Sequence, residues 1–151
     1  MDWLDEATKP VYEKLREMGK NKLADMYVKC FRSTWDTTLQ RADGTVFLVT
    51  GDIPAMWLRD SSAQVYHYVP HAGKYPEVME AILGLMERQF RYIALDPYAN
   101  AFNREANDHR NHLDDTTWTI PAGQRKRGPG SGRGNTRWIP CAIPSGWPTP
   151  C

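Results

Sequence analysis

At 151 residues, with 41% hydrophobic and 25% charged residues, the chain has the size and composition of one soluble globular domain. No stretch approaches the roughly 18 apolar residues of a membrane span, and the start, Met-Asp-Trp-Leu-Asp-Glu-Ala, does not resemble a secretory signal. Three Cys residues provide no disulfide framework, so we expect a reducing, cytoplasmic setting without membrane partners.

The net charge of +1 hides a sharp asymmetry along the chain. Residues 1–115 contain all 18 acidic residues and 14 of the 19 Lys and Arg, which leaves a charge of −4. Residues 116–151 contain five basic residues and no acidic one. From about Gly123 the chain has six Gly, five Pro and no periodicity. We therefore predict that residues 121–151 form a disordered basic tail.

Two amphipathic helices are predicted at the start of the chain. The first covers residues 3–18; Pro10 interrupts its pattern, which indicates that the regular helix begins only there, and Gly19 marks its end. The second covers about Lys22 to Phe31, with apolar residues on one side. Cys30 lies on that side, so we expect its thiol to be buried and inert.

A β-hairpin is predicted next. Residues 35–40 and 45–49 are rich in Thr, Val and Phe, and Asp43-Gly44 lies between them. Asp-Gly between two strand-like runs is a strong signal for a tight hairpin turn.

The stretch 50–62, Thr-Gly-Asp-Ile-Pro-Ala-Met-Trp-Leu-Arg-Asp-Ser-Ser, mixes three charges with large apolar residues. Gly51 and Pro54 indicate irregular backbone. A third helix is predicted to follow it and to end before Pro70. The candidates for its N-cap are Asp60, Ser61 and Ser62. A polar cluster at a helix start, after an irregular loop, is typical of a binding site.

The longest predicted helix begins at Pro76 and ends before Asp96. Its apolar residues recur every three or four positions, at Met79, Leu83, Met86, Phe90 and Ile93. A polar loop, residues 100–117, follows this helix.

Two motifs carry a family resemblance. The run F-L-V-T-G-D-I-P-A-M-W-L-R-D-S at residues 47–61, followed by A-F-N-R-E-A-N at residues 101–107, resembles glycoside hydrolase family 125. The resemblance implies a metal-independent exo-α-1,6-mannosidase that inverts the anomeric carbon, without any cofactor, and a mainly α fold, the (α/α)₆ barrel. It covers residues 1–120, which on this view are the N-terminal part of a glycosidase domain about three times longer, with the hairpin as an insertion.

The first motif contains four residues whose side chains are suited to binding a sugar. Trp57 offers an aromatic wall for the ring, Arg59 a planar fork for neighbouring hydroxyls, and Asp60 an acceptor. Asp52 is a weaker candidate, because an Asp in such a turn often bonds to its own backbone. The alternative is that Arg59 and Asp60 form a structural ion pair while Trp57 belongs to the core.

The second motif offers three alternating polar residues. Asn103, Glu105 and Asn107 would project to one side of an extended chain, where they suit sugar hydroxyls; a self-bonded polar loop is the alternative. The general acid and base are expected in the part of the family chain that lies beyond these residues. Adjacent Asp114 and Asp115 do not fit those roles, because neighbours on a strand point to opposite faces.

Metal binding is not predicted. His109, His112 and Asp114 lack the spacing of a known metal motif.

The tail is also compatible with the family pattern in another reading frame, where two residues are fixed by the genetic code and most other positions allow several. Trp has a single codon, so in the neighbouring frame Trp138–Ile139 must encode Asp and Trp147–Pro148 must encode Ala. The family continues at this point with a stretch of the type W-V-W-E-R-K-Y-x-x-D-S-L-C-Y-P-I-R-L-A-Y. The two encoded residues coincide with its Asp and its Ala. We therefore hypothesise a frameshift between about Thr117 and Pro129, and we expect the chain by itself to be inactive.

Two other functional classes stay open at this point. One is a non-catalytic carbohydrate-binding protein for mannose-containing glycans. The other is a helical interaction protein whose basic tail binds RNA. The run R-K-R-G-P-G-S-G-R-G has no aromatic residue for base stacking, so nucleic acid is not the predicted partner.

Overall fold

A computed structural model of the chain describes residues 2–51, 54–99, 101–104, 116–117 and 137–139, the last two segments as backbone only. Four α-helices and six short strands occur in these residues. In chain order they are α1 (Trp3–Glu17), α2 (Asn21–Ser33), β1 (Leu39–Ala42), β2 (Thr45–Leu48), β3 (Ala55–Trp57), α3 (Leu58–Val65), α4 (Pro76–Leu95), β4 (Ala101–Asn103), β5 (Thr116–Thr117) and β6 (Arg137–Ile139). The mainly α architecture with an inserted hairpin confirms the predicted fold class.

Helix α1 begins seven residues earlier than its proline suggests. Asp2 is the N-cap, and its side chain accepts a hydrogen bond from the Leu4 amide at 3.4 Å. Pro10 lies inside the continuous helix, where it removes one backbone donor, while the buried Trp3 and Leu4 anchor the first turn. The predicted helix over residues 3–18 is therefore confirmed, whereas the interpretation that its regular part begins only at Pro10 is wrong. The predicted end is confirmed, because Gly19 has a φ of 72° and donates to the last turn.

Helix α2 runs further than predicted and continues as a π-helical segment, Thr34–Thr38. The hydroxyls of Thr37 and Thr38 donate to backbone carbonyls four residues earlier, at 2.6 and 2.9 Å. These side-chain bonds hold the β-branched residues in a helical turn. The prediction of a strand from residue 35 is wrong, since extended backbone begins only at Leu39.

The prediction for Cys30 is also wrong, because its side chain is exposed. Ala24 is the buried residue of α2, while Leu23 and Met26 are 42% and 55% exposed. Periodicity predicts a helix correctly here, but within the described residues the neighbouring elements cover only part of its apolar side.

The hairpin has the predicted turn. Strands β1 and β2 pair antiparallel with Ala42 opposite Thr45, and Asp43 and Gly44 both have positive φ, 52° and 67°. This is the geometry for which Asp-Gly is favoured. All four residues of β2 are buried, and they pack against α4.

An aromatic core joins the N-terminal helices to the segment after α3. Trp3 packs edge-on against Phe31, Trp35 and Tyr68, with ring centroids 4.8–6.2 Å apart. The Tyr68 hydroxyl donates to the Phe31 carbonyl at 2.6 Å and accepts from the Trp35 amide at 3.2 Å. Tyr68 belongs to a 3₁₀ segment, Tyr66–His71, that passes through Pro70, so helical backbone continues beyond the predicted end.

Helix α4 has the predicted bounds but buries an unexpected face. Its buried residues are Val78, Ala81, Leu85, Arg88 and Tyr92. The residues of the predicted apolar stripe are 41–59% exposed, namely Met79, Leu83, Met86, Phe90 and Ile93. The helix is therefore apolar on two sides, of which the described structure covers one.

Arg88 is the polar centre of the buried face, with 1% of its surface exposed. Its guanidinium donates to the Thr45 hydroxyl at 2.7 Å, to the Ala42 carbonyl at 3.2 Å and to the Tyr92 hydroxyl at 3.2 Å. Tyr92 donates in turn to the backbone carbonyl of Asn103 at 3.2 Å. One network thus fixes α4 to the hairpin and to β4.

A second sheet joins the two motifs. Strand β3 pairs antiparallel with β4, with Trp57 opposite Ala101 and Ala55 opposite Asn103. Strand β6 runs parallel to β4, and β5 runs parallel to β6. Strand β6 comprises three residues of the segment predicted to be disordered; the remainder of that segment lies outside the described residues.

Candidate binding cleft

The loop between β2 and β3 is closed by one threonine. The amide and hydroxyl of Thr50 both donate to the Ala55 carbonyl at 3.0 Å. The same hydroxyl accepts from the Trp57 amide at 3.0 Å. Gly51, immediately after Thr50, has a φ of 75°, a conformation that favours glycine. These contacts fix the backbone at Thr50 and Ala55 and the backbone that carries the side chain of Trp57.

Trp57 occupies the N-cap position of α3, with extended backbone at φ −85° and ψ 125°. The prediction that Asp60, Ser61 or Ser62 caps this helix is wrong. The two serine hydroxyls instead donate to the Leu58 carbonyl at 3.0 Å. Asp60 lies in the first turn, where the helix dipole favours a carboxylate. Its side chain does not cap the helix.

Gln89 of α4 contacts the first turn of α3. Its side-chain amide nitrogen lies 3.2 Å from the Leu58 carbonyl and 2.9 and 2.8 Å from the hydroxyls of Ser61 and Ser62. The start of α3 is therefore fixed by hydrogen bonds to a long, rigid helix.

A cleft of about 600 Å³ opens between Thr50 and Gly51 on one side and α3 on the other. Its lining residues are Thr50, Gly51, Trp57, Arg59, Asp60, Ala63 and Gln64. The structure thus brings together three of the predicted sugar-gripping residues, Trp57, Arg59 and Asp60. Trp57 is half-buried and packs on Ala55 and Ala101, which leaves part of its ring surface for the cleft.

The Arg59–Asp60 ion pair exists, but at the protein surface. The Arg59 Nη2 atom lies 3.3 Å from both carboxylate oxygens of Asp60, and the two side chains are 88% and 43% exposed. Such exposed pairs contribute at most about 1 kcal/mol to stability. The pair therefore contributes little to the stability of the fold. Because both side chains are exposed, a bound polar ligand would be able to contact both of them.

Gln64 was missed in the sequence. It lies one turn after Asp60 on α3, so the two side chains share a face of the helix. Its Oε1 atom is buried and makes no hydrogen bond within the described residues. The spacing of Asp60 and Gln64 was the signal that could have revealed it.

Among the other predicted binding residues, only Asn103 lies within the described part of the chain. Asn103 is buried on β4, opposite Ala55, and is not among the residues that line the cleft. Asp52, Glu105 and Asn107 lie outside the described residues, as do His109, His112, Asp114 and Asp115.

Metal-ligand clusters and membrane-spanning helices are both absent from the described part of the chain. It contains no group of three or more His, Cys, Asp or Glu side chains suited to a metal ion. None of its helices combines the length and the apolar character that a membrane span requires.

Comparison with known proteins relates the chain to glycosidases. The family described as metal-independent α-mannosidases (GH125) matches residues 20–127. The meiotically up-regulated gene 157 protein of Schizosaccharomyces pombe is 35% identical over 91 residues, which cover 57% of this chain. A solved structure of a metal-independent α-mannosidase from Streptococcus pneumoniae, in a non-productive complex with α-1,6-mannobiose, is 40% identical over 70% of this chain, with a TM-score of 0.59.

The chain is much shorter than these relatives. The matched part covers 18% of the yeast protein and 24% of the streptococcal chain.

Proposed function

The chain belongs to the metal-independent α-mannosidases of glycoside hydrolase family 125, and from that membership we propose that its cleft binds the terminal mannose of an α-1,6-linked glycan. The observation that carries the proposal is the position of Trp57, Arg59 and Asp60 around one cleft. The streptococcal relative in complex with α-1,6-mannobiose supports the choice of sugar and linkage.

Each of the three side chains has a distinct part in the proposed binding. The ring of Trp57 covers the apolar C–H face of the sugar. The guanidinium of Arg59 donates to two neighbouring hydroxyls at once, as its planar fork allows. Asp60 accepts from a hydroxyl and keeps Arg59 oriented. A half-buried aromatic wall with convergent polar groups is typical of a small-molecule site.

Hydrolysis with inversion requires more than this cleft contains. One carboxylic acid protonates the departing glycosidic oxygen, while a second carboxylate, roughly 6.5–9.5 Å away, takes a proton from the water that attacks the sugar carbon. Among the described residues that line the cleft, Asp60 is the one carboxylate. We therefore propose that this chain binds the sugar without hydrolysing it, and that both catalytic carboxyls belong to the part of a family-length enzyme beyond residue 120.

The inactivity is tested with the purified 151-residue protein and α-1,6-mannobiose. We expect free mannose to stay at the level of a blank without protein. Release above that blank would refute the inactivity, and the general acid and base would then have to be sought within this chain.

Binding is tested by calorimetric titration with mannose and with α-1,6-mannobiose. A single sugar in an open cleft is expected to bind in the millimolar range, at about −4 kcal/mol. Trp57→Ala should weaken that binding at least tenfold, because the stacking wall is lost. Tyr98→Ala is the control, since Tyr98 is an 83% exposed aromatic residue outside the cleft. Equal binding by all three proteins would contradict the proposed role of Trp57.

We propose in addition that the tail is out-of-frame sequence. The family match ends at residue 127, between Thr117 and Pro129, where the frameshift is predicted. Sequencing the locus and its transcript tests this: an uninterrupted frame through the tail, with no longer product, would contradict it.

A further inference from the structure

One polar group at the cleft has no role in the binding proposed so far. Gln64 lines the cleft beside Trp57 and Asp60, and its Oε1 atom is buried without a hydrogen-bond partner among the described residues. Buried acceptors in proteins are nearly always bonded. An unpaired one at the edge of a ligand cleft therefore needs an explanation.

Gln64 lies on the same helix as Asp60, and both residues line the cleft. Asp60 and Gln64 are four residues apart on the same helix, so their side chains are neighbours on one face. Ala63, whose methyl group takes little space, also lines the cleft. Asp60 and Gln64 can therefore reach the same ligand from successive turns of one helix.

We propose that Gln64 determines sugar specificity by hydrogen-bonding a particular hydroxyl of the mannose bound in this cleft. The inference rests on the proposed function. The terminal torsion of a glutamine side chain is broad, so a small rotation turns the amide toward the ligand. That amide carries one acceptor and two donors, which suits it to a hydroxyl that both gives and receives a hydrogen bond.

Specificity follows from the cost of leaving a buried polar group unpaired. A sugar with the right hydroxyl supplies the partner that Oε1 lacks, whereas an analogue without it leaves Oε1 unpaired in the bound state. Sites that hydrogen-bond a substrate hydroxyl reject analogues lacking it far more strongly than apolar pockets reject a change of size. Gln64 would then discriminate between sugars, while Trp57 would bind the ring of any hexose.

The test is a titration of the full 151-residue chain with mannose and with the four monodeoxy sugars lacking the 2-, 3-, 4- or 6-hydroxyl. For the unmodified chain, we expect one monodeoxy sugar to bind about three- to tenfold more weakly than mannose through its lost contact with Gln64. Gln64→Met, similar in size and helix propensity but without a hydrogen bond, should bind mannose as weakly as that deoxy sugar. It should show no further loss with the deoxy sugar itself.

The control is Gln40→Met, the same chemical change outside the cleft, which should leave the deoxy-sugar pattern unchanged. The thermal midpoint of each variant verifies folding, and Gln64→Leu, another good helix former without a hydrogen-bonding group, replaces Gln64→Met if the latter fails to fold. An unchanged preference in a folded Gln64 variant would overturn this inference while leaving the proposed function intact. An unmodified chain that binds no mannose would overturn the proposed function, and this inference with it.

Discussion

The Tyr68 hydroxyl is a single group that connects three parts of the molecule. Burial raises the pKa of Tyr68 to about 12, because a phenolate in this position would be poorly solvated. The neutral hydroxyl instead links the end of α2 to the 3₁₀ segment through its bonds to Phe31 and Trp35. The fold therefore depends on the protonated form of this side chain.

This pKa predicts alkaline instability. A tyrosine in the unfolded chain ionises near pH 10, whereas Tyr68 in the folded chain stays protonated up to about 12. Between these values the unfolded state binds fewer protons, so the free energy of unfolding should fall by about 1.4 kcal/mol per pH unit. Urea unfolding at pH 8, 9, 10 and 11 measures the slope. Tyr68→Phe should reduce it and Tyr98→Phe should not; an equal slope in both variants would contradict the account.

Arg88 should be one of the most sensitive residues for stability. Replacing it in Arg88→Met leaves the polar groups of Ala42, Thr45 and Tyr92 without a buried charged donor, so we expect a loss of about 2–4 kcal/mol. The urea midpoint of this variant is compared with that of Arg16→Met, at an exposed position on α1, which should change stability by less than about 0.5 kcal/mol. A similar small change in both variants would show that the network contributes little.

At the residue scale, the sequence predicted charged and aromatic partners better than it predicted burial. Trp57, Arg59 and Asp60 were singled out because their mixture is unusual in either a core or a loop, and the structure places all three at one cleft. Gln64 was missed although its spacing from Asp60 is visible in the sequence, because the missing hydrogen bond of its Oε1 atom is apparent only in the structure. Arg88 was missed and Cys30 was misplaced for a related reason: periodicity indicates which residues share a face, but not whether another element covers that face.

At the scale of elements, α4 packs closely against β2 at Gly84. A Cβ atom added at Gly84 would lie 3.1 Å from Val46 Cγ2 and 3.3 Å from the Val46 amide nitrogen. Because α4 packs this closely on the buried strand, the position tolerates no side chain without movement of one element.

Gly84→Ala therefore tests that packing. Alanine favours a helix over glycine by about 1 kcal/mol, but overpacking typically costs about 1–3 kcal/mol, so we expect net destabilisation of about 1 kcal/mol. Gly73→Ala is the matched control, since a Cβ there meets nothing within 4 Å. Thermal midpoints measure both variants, and a Gly84→Ala protein as stable as the unmodified chain would contradict the described packing.

Elements with strong local signals were predicted well. The hairpin follows from Asp43-Gly44, whose backbone conformation few other pairs adopt easily, and α4 follows from Pro76 and its long apolar period. Strand β4 was missed because three residues carry no periodicity. Its pairing with β3 is a long-range contact, and this pairing is what places the two motifs side by side.

At the scale of the whole molecule, apolar surface is left exposed. The stripe Met79, Leu83, Met86, Phe90 and Ile93 lies along one side of α4, opposite its buried side. Contiguous exposed apolar patches of this kind promote association in soluble proteins.

We expect the purified chain to self-associate as its concentration rises. The double variant Leu83→Lys, Phe90→Glu should remain monomeric to higher concentration without a loss of thermal stability, because both side chains are more than half exposed. Light scattering coupled to gel filtration measures the change. Scattering identical to that of the unmodified chain would show that another surface is responsible.

The global architecture was predictable only through the family resemblance. Helix periods and one hairpin indicate a mainly α protein, but they do not fix how the helices pack. The two motifs supplied the (α/α)₆ expectation.

The central claim is that the cleft formed by the loop after β2 and the start of α3 binds mannose. The most direct measurement is a two-dimensional ¹H–¹⁵N NMR titration of the 151-residue chain with α-1,6-mannobiose, with the Trp57 indole signal assigned by its loss in Trp57→Phe. We predict saturable shifts of that indole and of the amides from Arg59 to Gln64, while the indole of the buried Trp3 stays in place. An unmoved Trp57 indole at saturating sugar, or shifts confined to other parts of the chain, would contradict the account.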